Sequence, residues 1–288
     1  MGEATPPDTD EEIEIHRAVS DDGTEIVGRV HGTGPPVVLL PAGPGDSETS
    51  WGVLLPILSE RFTCYLMDTR SRGLSDQSSD LSPERLVEDV VAFAESIGEP
   101  VGLVGWGSPL WARVAAQNTT AISSVVAYEP GVFEVMSEED ATRFEGVVER
   151  VGELVSEGRL ANAAQAFIEN SGFVYTDEDL ASGAPADFWD AAAPNIPVFL
   201  QEEQQAAESE RPSSTASSVL QRITVPVLLL YGNQTKPWFR DSVRYVAEHV
   251  ADTHVREIGG AAHYGPHIEP EAVADELVPF FERHQGNR

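Results

Sequence analysis

The sequence predicts an α/β protein, a mostly parallel sheet flanked by helices with a helical cap inserted into it. Short, continuous apolar runs such as Pro36–Leu40, Phe62–Met67 and Val101–Val104 read as strands buried on both faces. Segments with helical spacing alternate with them, which argues for parallel strands joined by crossovers. From about Gly131 to Arg211 the strand-like runs stop and only helical segments follow.

Residues 1–12 are acidic and polar and are expected to form a disordered tail. Ile13–Ala18 and Thr24–Val30 flank Asp21-Asp-Gly and read as a hairpin. After Pro36–Leu40 comes a Gly/Pro loop, Pro41–Asp46, and then helical spacing over Ser50–Phe62. Phe62–Met67 ends in the polar loop Asp68–Ser75. Ser82 is a good N-cap, with Pro83 at the first position of a helix to about Ile97. Val101–Val104 meets a Gly-rich turn and an amphipathic segment with Leu110, Trp111, Val114 and Ala115. Ile122–Tyr128 is the next strand. Within the cap, Ser137 with Asp140 resembles a capping box opening a helix to about Glu157; Leu160–Ile168 and Asp187–Ala193 are shorter helices. Pro226–Tyr231 and His254–Ile258 are strands around a helix at Ser242–Val250, and a last helix covers about Glu271–Arg283. The expected organisation is a core of 13–130 and 212–288 with a cap of 131–211.

Over 288 residues, Asp and Glu total 48 against 18 Lys and Arg, a formal net charge of −30. Lys236 is the single lysine. So negative a potential repels nucleic acid and anionic membrane surfaces. The charge is spread along the whole chain, which favours a solvated acidic surface of halophilic type over acidity directed at a cationic substrate. Cys64 is the only cysteine, so no intrachain disulfide is possible; it is expected to be an inert core residue. The N-terminal stretch lacks the basic and apolar regions of a signal peptide, and no apolar run is long enough to span a membrane. The expectation is a cytoplasmic protein acting on a small molecule. Oligomeric state is left open. No metal-ligand spacing, nucleotide loop or haem motif is present, so no cofactor and no metal is expected; Gly105 and Gly107 form a G-x-G without the third glycine of a dinucleotide fingerprint.

Four stretches carry a family resemblance. Val101–Gln117 is a strand, tight turn and helix like a nucleophile elbow, G-x-S-x-G. Val37–Trp51 looks like an oxyanion loop, with Pro41-Ala42 in place of His-Gly. Asp68–Ser75 looks like a D-x-R-G-x-G-x-S turn, and Ile258–Glu271 like a catalytic-histidine loop. In this order the stretches resemble the α/β-hydrolase superfamily, specifically its lidded branch of small-molecule esterases, lactonases and epoxide hydrolases.

The resemblance implies a nucleophile, an acid and a histidine base in that chain order. The nucleophile position falls on Gly107, which has no side chain, so the triad is degenerate. Ser108 stands one residue late and is expected to cap the following helix, with Pro109 at its first position. His263 is the expected base. The usual acid position, in Gly232–Lys236, holds no carboxylate, so Glu129 after Ile122–Tyr128 is the expected partner of His263. Backbone N–H groups of the Pro41–Gly43 stretch, Ala42 foremost and Gly43 beside it, and of Ser108 are the expected oxyanion donors. Trp106, with Trp51, Trp111, Phe188 and Trp189, is a candidate pocket lining, with core packing the stronger expectation for Trp51 and Trp111. Arg70 and Arg72 are candidates for a substrate carboxylate or for structural ion pairs, and His267 is expected at a helix start or on the surface.

Three functions fit these residues. One is a cofactor-independent enzyme, opening an ester or lactone or doing related acid–base chemistry, with His263 as general base. Another is a catalytically inactive small-molecule binder, similar to the N-myc downstream-regulated proteins in having Gly at the nucleophile position. The third is an ordinary esterase using Ser108.

Overall fold

The computed structural model describes residues 13–170 and 188–285. The tail expected over 1–12, and the cap residues 171–187, lie outside the described residues. The eight strands are β1 (Glu14–Val19), β2 (Glu25–His31), β3 (Pro36–Leu39), β4 (Thr63–Met67), β5 (Val101–Trp106), β6 (Ile122–Tyr128), β7 (Val227–Gly232) and β8 (Thr253–Ile258), in one sheet of order β1-β2-β4-β3-β5-β6-β7-β8. The β1–β2 hairpin is antiparallel, β2 pairs antiparallel with β4, and β3 to β8 run parallel.

The continuous apolar runs are explained by burial on both faces. Val37, Leu39, Val104, Val126, Leu228 and Leu230 enter one core, with the helix Pro270–Gln285 and the cap. Their neighbours Val38, Leu40, Leu103, Val125, Val227 and Leu229 enter the other, against the helices Pro83–Ser96, Leu110–Ala115 and Pro237–His249. Cys64 is fully buried, and desolvation pushes its thiol up to about 12, so it stays a thiol. Trp51 and Trp111 are core residues. Among the described residues, no helix is long and apolar enough to cross a membrane.

Several elements differ from the sequence reading. The helical spacing of Ser50–Phe62 resolves into two short helices, Ser47–Trp51 and Leu55–Leu58, broken where Pro56 needs a helix start. The helix expected at Ser242 begins at Pro237, whose fixed φ suits a first helical position. The cap contains Glu138–Ser156, capped by Ser137 Oγ on the Asp140 N–H, then Leu160–Asn170, Phe188–Ala192 and a further helix, Ile196–Glu208. Trp189 packs half-buried against the core and does not line the main cavity, while the Phe188 side chain lies outside the description.

The Asp68–Ser75 loop wraps its own aspartate. Asp68 is fully buried and accepts from the Ser47 N–H and hydroxyl, at 3.0 and 2.6 Å, and from the Leu74 N–H. Gly73 has φ +48°, and a Cβ there would lie 2.0 Å from Asp68 Oδ2. Arg70 is buried in ion pairs with Asp89, at 2.6 Å, and Asp22, so of the two readings for Arg70 the structural one holds. We predict that Gly73→Ala destabilises the protein by about 2–4 kcal/mol through backbone strain and overlap. The check is a lowered urea midpoint; an unchanged midpoint refutes this account of the loop.

Candidate active site

The centre of the site is the turn after β5. A Cβ on Gly105 would lie 2.8 Å from Trp111 Cδ1, so glycine there lets the helix Leu110–Ala115 pack on the strand. Gly107 has φ +69°. The Ser108 N–H donates to the Trp106 carbonyl at 2.7 Å, closing a three-residue turn around Gly107. The Gly107 N–H donates to the Tyr128 carbonyl, and the Gly107 carbonyl accepts from the Gly131 N–H. A Cβ built on Gly107 would lie 3.3 Å from His263 Nε2 and 3.4 Å from Cε1. Position 107 therefore faces the imidazole, and a glycine occupies it.

Ser108 lines the cavity, but among the described residues no hydrogen bond joins it to His263. Its hydroxyl accepts from the Leu110 N–H at 3.4 Å, a long capping contact. The helix begins one residue later than the sequence suggests: Pro109 is the N-cap, with φ −83° and ψ 10°, because the tight turn delays helical geometry to Leu110.

Glu129 and His263 are brought together. His263 Nδ1 lies 3.0 Å from Glu129 Oε2. Glu129 is fully buried. It also accepts from the Gly232 N–H and from the Thr235 hydroxyl, both at 2.9 Å. A carboxylate so engaged orients the ring with its Nδ1–H toward Glu129 and its Nε2 toward Gly107. The ring is fixed from other sides too. Phe239 stacks on it, centroids 4.4 Å apart and planes 14° apart. Trp106 Nε1 donates to the His263 carbonyl at 2.8 Å, and Tyr128 Oη donates to the Ala262 carbonyl. Trp106 thus lines the cavity and also holds the histidine loop. Burial pushes the imidazole below the usual histidine range, opposed by the Glu129 carboxylate, which favours the charged form. A neutral ring at neutral pH is competent as a base.

The loop after β3, where oxyanion donors are expected, differs from expectation. The Ala42 N–H is engaged by Ser50 Oγ at 2.9 Å, and the Ser108 N–H is engaged within its own turn. Gly43, at φ +45°, lines the cavity, and its N–H has no acceptor among the described residues. Of the expected donors, only Gly43 is available for a substrate oxygen. Arg72 holds this loop, donating from Nη1 to the carbonyls of Gly43, at 2.6 Å, and Gly45, at 2.8 Å, and from Nη2 to Glu202 of the cap.

The sequence reading passed over several residues here. Thr235 stands in the loop that lacks a carboxylate and supports Glu129 from it. His267 lies in the single turn of the short helix Gly265–Ile268, as one of its two expected places had it, and is 2 % exposed rather than on the surface. Its Nε2 donates to the Ser50 carbonyl at 2.9 Å, and burial pushes it down to about 4. The cavity above the dyad measures about 1150 Å³ including its opening to solvent. Phe133, Phe144, Phe167, Phe199 and Trp238 make most of its walls apolar, and Glu202 and Glu203 line it from the cap. Among the described residues there is no cluster of side chains that could hold a metal ion.

Comparison with known proteins agrees with this architecture. Residues 35–270 match the sequence profile of a family described as alpha/beta hydrolase fold. Over 101 residues the chain is 35% identical to a pyrrolizixenacetamide deacetylase of Xenorhabdus hominickii, covering 34% of this chain and 38% of that protein. Over 109 residues it is 31% identical to an N-formylmaleamate deformylase of Pseudomonas putida, covering 36% and 40%. The chain thus spans about two fifths of the curated relatives it matches. The crystal structure of an alpha/beta hydrolase from Sphaerobacter thermophilus superposes with a TM-score of 0.72 at 23% identity, over 92% of this chain and 100% of that one.

The dyad geometry makes a direct prediction. Glu129→Gln removes the charge that holds the His263 imidazolium, so the ring should titrate at a more acidic pH than in the wild type. Nitrogen-15 NMR of the histidine side chains reads this, and an unchanged His263 titration would refute the coupling.

Proposed function

The chain belongs to the alpha/beta hydrolase fold family, and from that premise we propose that it is a cofactor-independent, hydrolase-like enzyme for a small organic substrate that works without a covalent serine intermediate. His263 is its general base and Glu129 orients and stabilises it. The observation that carries this reading is the side-chain-free position at Gly107, 3.3 Å from His263 Nε2 at the point where a Cβ would sit. A water placed there is within hydrogen-bond reach of the base. The ester, lactone or amide carbonyl enters from the apolar cavity with its oxygen toward the Gly43 N–H. As the water attacks, Nε2 takes its proton, and Glu129 stabilises the imidazolium through Nδ1–H. The tetrahedral intermediate then collapses, and Nε2–H delivers the proton to the leaving oxygen or nitrogen.

The names of two relatives, a deacetylase and a deformylase, support transfer of an acyl group to water as the reaction class. General-base assistance of this kind is worth on the order of 10²–10⁴-fold. One oxyanion donor in place of two weakens stabilisation of the intermediate. An esterase using Ser108 is disfavoured, because its hydroxyl turns to the Leu110 N–H and not to His263.

The test is turnover of short p-nitrophenyl esters and aryl lactones in high salt, with intact-mass measurement of the protein. We expect His263→Ala to lower kcat/KM on the order of 10²–10⁴-fold and Ser108→Ala to leave it essentially unchanged. Wild type should show no acyl adduct, whereas Gly107→Ser, whose hydroxyl would reach Nε2, should acquire one. Activity should persist through neutral pH and fall only on the acid side of the ordinary histidine range, where the ring protonates. An acyl adduct on wild type, or loss of turnover in Ser108→Ala, overturns the proposal.

A further inference from the structure

We infer that the cap wall of the cavity is a subsite for an ammonium group, with Glu203 as its principal partner and Glu202 beside it. This rests on the reading of the cavity as the substrate site and names the substrate class: an amine-bearing ester, lactone or amide.

The helix Ile196–Glu208 buries Ile196 and Phe199. One turn further along that face, at three and four residues past Phe199, an amphipathic helix would carry apolar side chains. This chain has Glu202 and Glu203 there, and both line the cavity together with His263. Glu202 accepts from Arg72 through Oε2, while its Oε1 is buried without a partner among the described residues. Among the described residues Glu203 makes no hydrogen bond or ion pair. A second observation points to a ligand. Thr69 lines the same cavity, is 4% exposed, and its hydroxyl, which can accept from an ammonium, has no partner among the described residues. Buried polar atoms are normally satisfied, so the two acceptors left over in this lining, Glu202 Oε1 and the Thr69 hydroxyl, call for a donor.

The charge balance selects the class of occupant. Arg72 offsets one carboxylate, and its Nη1 and Nη2 are committed to the Gly43 and Gly45 carbonyls and to Glu202. One carboxylate is left over on a wall that a monocation would neutralise. Burial, reinforced by the charge of Glu202, pushes Glu203 up to about 7, as expected of a carboxylate lacking its counter-ion. Phe167 and Phe199, 4.6 Å apart, add aromatic faces that favour a cation. The largely apolar, aromatic lining of the cavity suits the carbon frame of an organic ammonium.

The test is calorimetric titration of the whole protein with 4-phenylbutylamine, 4-phenylbutan-1-ol and 4-phenylbutanoate at pH 6 and pH 8. At pH 8 the amine should bind about tenfold or more tighter than the alcohol. That preference should shrink as the pH falls through about 7, because Glu203 then takes up a proton. Glu203→Gln should abolish the preference while leaving alcohol binding in place, which also shows that the variant is folded. Equal binding of amine and alcohol, a preference that survives in Glu203→Gln, tightest binding of the butanoate, or no binding of any of them overturns the subsite. Binding needs no turnover, so an amine preference in a protein inert toward all esters would leave the subsite standing and remove the hydrolytic proposal. Turnover without the preference would do the reverse.

Discussion

The buried carboxylate of Glu129 is the constraint on which the site depends. It sits at the end of β6 at φ +41° and is reached by three donors from two different parts of the chain: the N–H at the end of β7, a hydroxyl in the loop after it, and the imidazole after β8. Such a group is tolerable in a core only while its oxygens stay engaged, since an orphaned buried charge is strongly destabilising. The carboxylate therefore orients the imidazole and ties the end of β7 to the histidine loop. Gly232 serves the same closure, because any side chain there would collide with the Ala261 carbonyl.

The turn after β5 keeps the form of a device for presenting a side chain while presenting none. Gly105 still admits the close helix, Gly107 still takes the left-handed conformation, and the imidazole still faces position 107. The ring is held by a stacked Phe239 and by a carbonyl bond from Trp106, so its position does not depend on a nucleophile. The frame around the absent side chain is thus self-supporting.

Much of this was legible in the sequence, and the rest was hidden for identifiable reasons. Buried parallel strands announce themselves as unbroken apolar runs, so β3 to β7 were readable to within a residue or two. That Glu129 and His263 meet was implied by the family resemblance, and both stand at the same end of the parallel strands β6 and β8, with β7 between them. The state of each backbone N–H was not. Whether Ala42 is available depends on Ser50 reaching back across the loop, and whether Ser108 is available depends on a turn geometry that a sequence pattern does not specify. His267 was hidden by a helix of four residues, too short to leave a periodic signal. Glu202 and Glu203 were hidden because a Gln/Glu-rich stretch reads as a solvated face, and only the fold shows that this face is turned inward.

Arg72 gives the molecule a particular evolutionary property. A cap seated on its core by packing alone could be exchanged for another with little disturbance beneath. Here the guanidinium that grips the Gly43 and Gly45 carbonyls is itself neutralised by Glu202 of the cap. Replacing the cap would strand that charge and loosen the loop on which Gly43 lines the cavity. Cap and loop geometry are therefore coupled, and the cavity is easier to reshape by changing side chains within the existing cap than by acquiring a different one.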